Sequence, residues 1–475
     1  MLANLPWGLL NVEWVTCGWI LFMLLADLII PDSRKSVLWI WALAGIVICG
    51  GFLAIQSSFP TGMFQSMLAL DAFSRYFKGL FLLTVGIVIV MTREYRRHMP
   101  SHIGAFYMLL FTALLGTLVL SSISDLLMLF IGLELLTFSL YIMAAYLKSD
   151  SRSVEAGMKY LILGSVSTGF LLYGIALLYG FAGSTSFEAL RAAVARGPMP
   201  LSAEAGLMLV MAGLGFKIAA VPFHLWVPDV YEGAPTPVVA LLSVGSKMAG
   251  VVALLRVLYG VFLPVAGFWA PILAVLSAAT ILYGNLGALP QTNIKRLLGY
   301  SSIGHAGYLL MGLSSGSAFG THAVAYYLLA YLFSNMTVFL IVIASSDAIG
   351  GDQLDDYKGL SKRSGLLAAA MFIGLLSLAG VPPLGGFVGK LFVMLAAVQA
   401  NRIWLVAIGA AAVAISLYYY LMIVKRMYLD APATATPIPV NGIIKLLLLF
   451  LVLGILAVGI YQAPFLNRIH SAITL

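Results

Sequence analysis

Gly215-Phe216-Lys217-Ile218-Ala219-Ala220-Val221-Pro222-Phe223-His224 sets a lysine, a proline and a histidine inside an otherwise apolar run. That run, 205–227, is long enough to cross a bilayer, which takes about 20 mostly apolar residues. Proline removes a helix hydrogen bond and clashes with the preceding turn. Broken backbone at membrane depth is tolerated only inside protein or beside water. A lysine there costs roughly 2.5–3.5 kcal/mol on insertion scales. The stretch therefore predicts a broken helix inside a membrane-embedded helical bundle, with its polar side chains turned inward.

The rest of the chain extends this reading. Of 475 residues, 62% are hydrophobic and 9% charged, whereas an ordinary soluble domain is about 25% charged. That balance excludes a soluble enzyme, a nucleic-acid binder and a disordered scaffold. About fourteen apolar runs stand at 10–30, 37–56, 72–91, 102–122, 124–147, 156–182, 205–227, 236–260, 266–289, 299–315, 318–345, 365–400, 402–428 and 442–463. The run 299–315 is short and contains His305. The longest polar connections are 183–204 and 346–364, too short to part independent domains. The expected fold is all-α and integral to the membrane. It is one polytopic domain over 1–475, divided into three N-terminal helices (1–100), a first repeat (101–260), a second repeat (261–430) and a C-terminal helix (431–475).

Net charge is +8, but the 26 Lys and Arg are scattered singly and in small clusters, so no nucleic-acid partner is implied. Loops after odd-numbered runs hold 15 of them against 7 on the opposite side, the latter including Lys78 and Arg256. Excess Lys and Arg marks cytoplasmic loops. The expectation is a multi-pass protein of the bacterial cytoplasmic (inner) membrane with both termini on the outer, periplasmic side. No Lys or Arg precedes Asp27 while Glu13 does, so the first run reads as a retained helix rather than a cleaved signal. Cys17 and Cys49 lack Cys-x-x-Cys spacing, and an iron–sulfur cluster or structural zinc needs about four ligands. No cofactor or metal is expected in this chain.

With those 22 basic residues assigned to loops or helix ends, four lysines remain within predicted helices: Lys159, Lys217, Lys247 and Lys390. Lys217, Lys247 and Glu134 lie near the middles of their runs, from where snorkelling to the interface is difficult. Lys390 lies past the middle of a long interrupted run. Lys159 is about one turn inside its run, where snorkelling competes with function. His224 follows Lys217 by seven residues, two turns along the same face of a continuous helix. His305 and His322 stand near helix starts. These residue types suit proton handling. An amine withdrawn from water gives up its proton more readily, and a nearby carboxylate opposes that. Moving Glu134 relative to a lysine would load or unload a proton, and histidine shuttles protons with little tuning. No G-x-S-x-G elbow, H-E-x-x-H helix or phosphate-binding glycine loop is visible.

A second break reads Leu378-Ala379-Gly380-Val381-Pro382-Pro383-Leu384-Gly385-Gly386-Phe387. It lies five runs after the first, which pairs helices 4–8 with helices 9–13, and an odd repeat length inverts the second copy. Broken helices at matching positions of two repeats point to a transport site.

Four stretches together resemble the antiporter-like membrane subunits of respiratory complex I and of Mrp-type cation/proton antiporters. They are Asp125 to Glu134, Lys217 through Pro222-Phe223-His224-Leu225-Trp226 and Pro237 to Lys247, Asn293-Ile294-Lys295-Arg296 on through Tyr300 to His305, and Pro382 to Phe387 with Lys390. The resemblance covers about 100–430. Lys390 after Pro-Pro-Leu-Gly-Gly-Phe and the stretch Leu354-Asp355-Asp356-Tyr357-Lys358-Gly359-Leu360 are similar to the complex I branch in which a lysine, not a glutamate, occupies that position. The resemblance implies that Glu134 pairs with Lys217 as a modulating carboxylate and that Lys217 is the switch lysine of the broken helix. It implies that Lys247 leads from the first half-channel toward the second, that His305 sits on the linking path and that Lys390 ends it. Lys159 and His224 are carried over as further members. It also implies a proton-translocating subunit of an NADH:quinone oxidoreductase, among other membrane subunits, antiporter-like ones included, and membrane lipids. Flavin, iron–sulfur clusters and quinone would belong to partner subunits. The alternative is a subunit of a multi-subunit sodium/proton antiporter.

Overall fold

The computed structural model describes residues 7–56, 61–99, 102–432, 434 and 436–473. In chain order its main elements are α1 (Asn11–Ile29), α2 (Leu38–Gln56), the short hairpin β1 (Gly62–Phe64) and β2 (Leu68–Leu70), α3 (Ala72–Glu94), α4 (Ile103–Ser122), α5 (Leu126–Ala144), α6 (Ser151–Ala182), α7 (Phe187–Ala195), α8 (Leu201–Ile218), α9 (Val227–Gly233), α10 (Thr236–Tyr259), α11 (Ala266–Ala288), α12 (Ile294–Leu313), α13 (Ala318–Ile349), α14 (Gly365–Ala379), α15 (Gly385–Gln399), α16 (Ile403–Tyr428), α17 (Gly442–Ile460) and α18 (Ala463–Ala472). The hairpin is antiparallel, with Gly62 opposite Leu70 and Phe64 opposite Leu68. The fold is all-α and membrane-embedded in character, as the composition requires.

Polar residues mark where the apolar runs begin as helices. Asp71 accepts the Ser74 N–H at 2.7 Å, and the Ser74 hydroxyl accepts the Asp71 N–H at 3.1 Å, opening α3 with two donors satisfied. Asp125 accepts the Leu127 N–H and the Thr185 hydroxyl, both at 2.7 Å, tying the start of α5 to the segment before α7. Asp150, Asn293, Ser317 and Asn441 cap α6, α12, α13 and α17 in the same way.

Among the described residues, twelve helices are long and apolar enough to cross a membrane, and they coincide with twelve of the fourteen runs. Of the other two runs, 299–315 falls on the 20-residue α12, which begins earlier, at Ile294. The run 365–400 divides into α14 and α15, 15 residues each. The run 205–227 is not one kinked helix. α8 stops at Ile218, Ala219 takes a left-handed backbone with φ of 64°, and Pro222 lies beyond. Lys217 therefore sits in the last turn of its helix rather than mid-span. The helical spacing expected between Lys217 and His224 does not apply, because no helix joins them.

The described chain forms two compact units. The first comprises 1–218, 245–269 and 471–475; the second comprises 219–244 and 270–470. The chain thus changes unit at the end of α8, within α10, near the start of α11 and within α18. Within the first unit, α6 runs along α8 at backbone distance. A Cβ added to Gly174 would come within 2.7 Å of the Gly206 carbonyl oxygen, so glycine is needed for this approach. Within the second, α13 is buried over nearly its whole length and is packed by α14, α15 and α17. Large apolar side chains such as Leu21, Leu28 and Val47 on α1 and α2 point outward, as lipid or neighbouring helices require.

Candidate proton-handling sites

In the first unit the last turn of α8 brings Lys217 against α5 and α6. Its ammonium donates to Thr137 Oγ1 at 2.8 Å and to Tyr160 OH at 3.2 Å, and its side chain is buried. The negative end of the α8 dipole favours a cation at this position. Glu134, one turn before Thr137 on α5, accepts the Thr168 hydroxyl at 2.7 Å. Glu134, Thr137, Ser167, Thr168, Tyr141 and Lys217 line one cavity of about 20 Å³, room for about one water molecule. Lys217 and Glu134 are thus neighbours on a cavity and not a direct ion pair; hydroxyls hold each of them. The geometry allows a proton to pass between amine and carboxylate through a single water.

α10 adds the second lysine. Lys247 is buried and directly follows a π-helical stretch, Leu242–Ser246, a widened turn that often marks functional positions. Gly250, one turn on, packs so closely on α8 that an added Cβ would stand 3.3 Å from Lys217 Cβ. Lys247 and Gly250 share a face, so Lys247 lies along the α8–α10 seam that holds Lys217. Lys159 stands apart from this buried set: it is half-exposed on α6 and pairs with Glu155 at 2.7 Å.

In the second unit His305 sits on α12 among tyrosines. Tyr327 OH lies 2.6 Å from Nδ1 and Tyr420 OH 3.4 Å from Nε2, while Ser301 hydrogen-bonds Tyr420. Tyr308, one turn from His305, places its ring 4.9 Å beneath the Lys390 ammonium. α15 approaches α13 at Gly389, where an added Cβ would meet the Tyr327 ring at 2.5 Å. Lys390 and His305 are therefore joined through Tyr308 and Tyr327. The Lys390 ammonium reaches back across the break to the carbonyls of Leu378 and Ala379 at 2.8 and 2.9 Å. Ser377 clasps the same break, bonding Ser334 at 2.7 Å and accepting the Gly386 N–H at 3.1 Å. His224 is buried in the segment before α9, its ring 4.1 Å from that of Tyr283, and its nitrogens make no side-chain hydrogen bond among the described residues. The His322 ring lies 4.2 Å from that of His470, tilted against it.

Two ion pairs escaped the sequence reading, one buried on both sides and one half-buried at its carboxylate. Lys78 and Arg256, counted as loop or helix-end charges, are buried. Lys78 pairs with Glu13 at 2.6 Å, joining α3 to α1. Arg256 binds both oxygens of Asp71, at 2.6 and 2.7 Å, and donates twice to the Ser121 carbonyl. Burial alone would raise the pKa of Asp71, which caps α3 from outside the span, but the Arg256 guanidinium and the Ser74 hydrogen bonds outweigh it and hold the carboxyl below its usual range. The signal available was position: Lys78 lies within run 72–91 and Glu13 within run 10–30, opposite charges both inside apolar runs. Among the described residues no group of three or more His, Cys, Asp or Glu could hold a metal.

Comparison with known proteins gives the same direction. Residues 123–416 match the family described as NADH:quinone oxidoreductase/Mrp antiporter, TM. The chain is 42% identical over 484 residues to NADH-quinone oxidoreductase subunit N of Moorella thermoacetica, covering 100% of this chain and 99% of that protein. A chain of respiratory complex I from Thermus thermophilus superposes with a TM-score of 0.82 at 30% identity, over 96% of this chain and 98% of that one. A chain of the Mrp complex from Dietzia sp. gives 0.83 at 22% identity, over 98% and 97%, a likeness of fold.

Proposed function

This chain belongs to the NADH:quinone oxidoreductase/Mrp antiporter membrane family, and on that premise we propose how it works. It is an antiporter-like subunit of the subunit N type. It acts within a complex I of the bacterial cytoplasmic membrane, beside other membrane subunits, with both termini on the outer side. Electron transfer from NADH to quinone runs in partner subunits that carry flavin and iron–sulfur clusters. This chain moves protons and contributes to the enzyme as a translocase.

The observation that carries this reading is the setting of Lys217 and Lys390. Each is buried and held by neutral oxygens, hydroxyls in one case and helix-end carbonyls in the other. A buried charge without a counterion is costly, so each amine is poised between two protonation states. In the first unit Glu134 modulates Lys217 across a cavity with room for about one water, and Lys247 passes the proton on along α10. In the second, the hydroxyls of Tyr327 and Tyr420 serve His305, and Lys390 is the terminal acceptor. His224 and Lys159 feed the buried residues from the ends.

The test is proton uptake per NADH oxidised by the intact complex in proteoliposomes, for Lys217→Met and Lys247→Met. Both variants are expected to assemble and to pump poorly. Full pumping by both would refute the relay. Purification through a tag on this chain separates the sodium/proton antiporter reading: co-purifying flavin and iron–sulfur subunits support the redox pump, and antiporter-type membrane subunits alone support exchange.

A further inference from the structure

The first unit carries a second, much larger hollow that the relay does not use. It has a volume of about 830 Å³ and lies among α4, α5 and α6, within the roughly 300–1,000 Å³ typical of ligand sites. Its walls are apolar: Leu109, Phe138, Ile142, Met158 and Leu161. Phe138, Ile142 and Met158 are more than half exposed in this chain, so the hollow is an open groove on the outer face.

Polarity is confined to one end. His102, Tyr146, Lys148 and Ser149 line the mouth, where the connections before α4 and after α5 emerge. The negative groups near the mouth are Asp27, Asp150 and Glu155, and two of the three are in ion pairs. Asp27, packed on Gly104 at the start of α4, pairs with Lys35 at 2.9 Å. Asp150 accepts the Arg152 N–H at 3.0 Å, and Glu155 pairs with Lys159. Lys148 and Arg152 join no ion pair among the described residues, and set against the Asp150 carboxylate they leave one net positive charge at this end. An apolar trough at membrane depth with an excess of positive charge at its mouth matches one amphiphile. Acyl chains fill the trough, and a negative headgroup sits at the surface where basic side chains attract anionic lipid.

We propose that this groove is a binding site for one anionic phospholipid. Its inner wall also borders the Lys217 site. Phe138 packs on Tyr141 at 5.9 Å, Tyr141 on Tyr160 edge-to-face at 4.8 Å, and Tyr160 takes the Lys217 hydrogen bond at 3.2 Å. Tyr141 lines both the groove and the small cavity, and its buried hydroxyl has no partner among the described residues. The bound chains hold Phe138 and Tyr141 in place, and through them the wall of the Lys217 cavity. That influence on Lys217 rests on the proton role proposed above; the binding itself does not.

The test uses the intact complex purified in mild detergent, with co-purifying phospholipid counted and identified by mass spectrometry. Met158→Trp fills the groove, and Lys148→Glu reverses the charge at its mouth. The expected results are loss of about one bound phospholipid per complex with Met158→Trp, and retention with exchange of anionic for zwitterionic lipid with Lys148→Glu. Unchanged lipid number and composition in both variants would overturn the site. So would loss of a neighbouring membrane subunit, rather than lipid, from the Met158→Trp complex, since the groove would then seat a protein helix. Lipid counting reads the groove alone, so a failure of the proton reading leaves this result interpretable.

Discussion

Lys390 Nζ lies 2.9 Å from the carbonyl oxygen of Ala379, the last residue of the half-helix before the break. A side chain of one half-helix thus caps the C-terminal end of the other. Lys217, in the first break, occupies the last turn of its own helix. The two lysines stand on opposite sides of their prolines in sequence, yet both meet a helix C-terminus, where the dipole favours a positive charge. A proton taken up at either point is stabilised by neutral oxygens, side-chain hydroxyls at Lys217 and backbone carbonyls at Lys390, rather than by a bonded counterion.

Replacing Lys390 with Met removes that charge and leaves two buried carbonyls without their donor. The cost to stability is about 1–3 kcal/mol, and proton translocation is expected to fall about ten-fold or more. Electron transfer measured with an uncoupler present should fall less. Proton uptake and NADH oxidation recorded on the same proteoliposomes check both.

Gly380 makes the capping geometry possible. Its φ is +91°, and an added Cβ would stand 3.0 Å from Lys390 Cδ. Gly380→Ala is expected to cost about 1–2 kcal/mol from backbone conformation alone and to displace the lysine stem. The measured outcome should be a lower melting temperature of the complex together with reduced pumping, even though the titrating residues are untouched.

Thr137 divides hydrogen bonding from mere burial at Lys217. Thr137→Val keeps the shape but removes the hydroxyl that accepts from the ammonium at 2.8 Å. The ammonium then loses one of its two hydroxyl partners, and pumping is expected to fall several-fold, with a changed pH profile. Thr137→Ser should restore both. Equal pumping in the Val and Ser variants would show that the hydroxyl does not matter.

The breaks were legible because Pro222, Pro382 and Pro383 interrupt runs that are otherwise uninterrupted. Where each helix stops was not, because Ala219 at φ +64° has no sequence signature. Lys217, Lys247 and Lys390 were legible because a charge inside an apolar run is costly wherever it lies. The hydroxyl partners Thr137, Tyr160 and Tyr327 were not: threonine and tyrosine are common in membrane helices, and only tertiary packing selects those that meet a lysine or histidine. Lys78 was misassigned although its place inside an apolar run marked it; which acids Lys78 and Arg256 meet was not legible, since Glu13 and Asp71 lie 65 and 185 residues away in the chain.

The Asp71–Arg256 pair has a defined pH signature. The folded-state pKa of Asp71 is lowered, so its contribution to stability is present above the unfolded value of about 3.9 and is lost as pH falls through the folded value. Removing the arginine leaves a half-buried carboxylate without its partner, at a cost below the roughly 3–5 kcal/mol of a fully buried pair. Arg256→Gln is expected to lower the melting temperature at pH 7 and to flatten its decline below about pH 4. Melting curves of both forms across that range give the comparison.

Tyr327 is the sharpest probe of the second unit. Its hydroxyl is the nearer of the two that reach His305, at 2.6 Å against 3.4 Å for Tyr420, and its ring is pressed by Gly389 beside Lys390. Tyr327→Phe keeps the ring, so packing between α13 and α15 survives, while His305 Nδ1 loses its partner. If His305 shuttles protons, its preferred tautomer is set by that bond, and the variant should pump several-fold more slowly with an altered pH dependence. Tyr420→Phe should have a weaker effect, in line with its longer contact. If His305 is instead a packed structural residue, both variants will leave the pH profile unchanged and alter only the melting temperature. Pumping and melting measured on the same two preparations therefore decide which role it has.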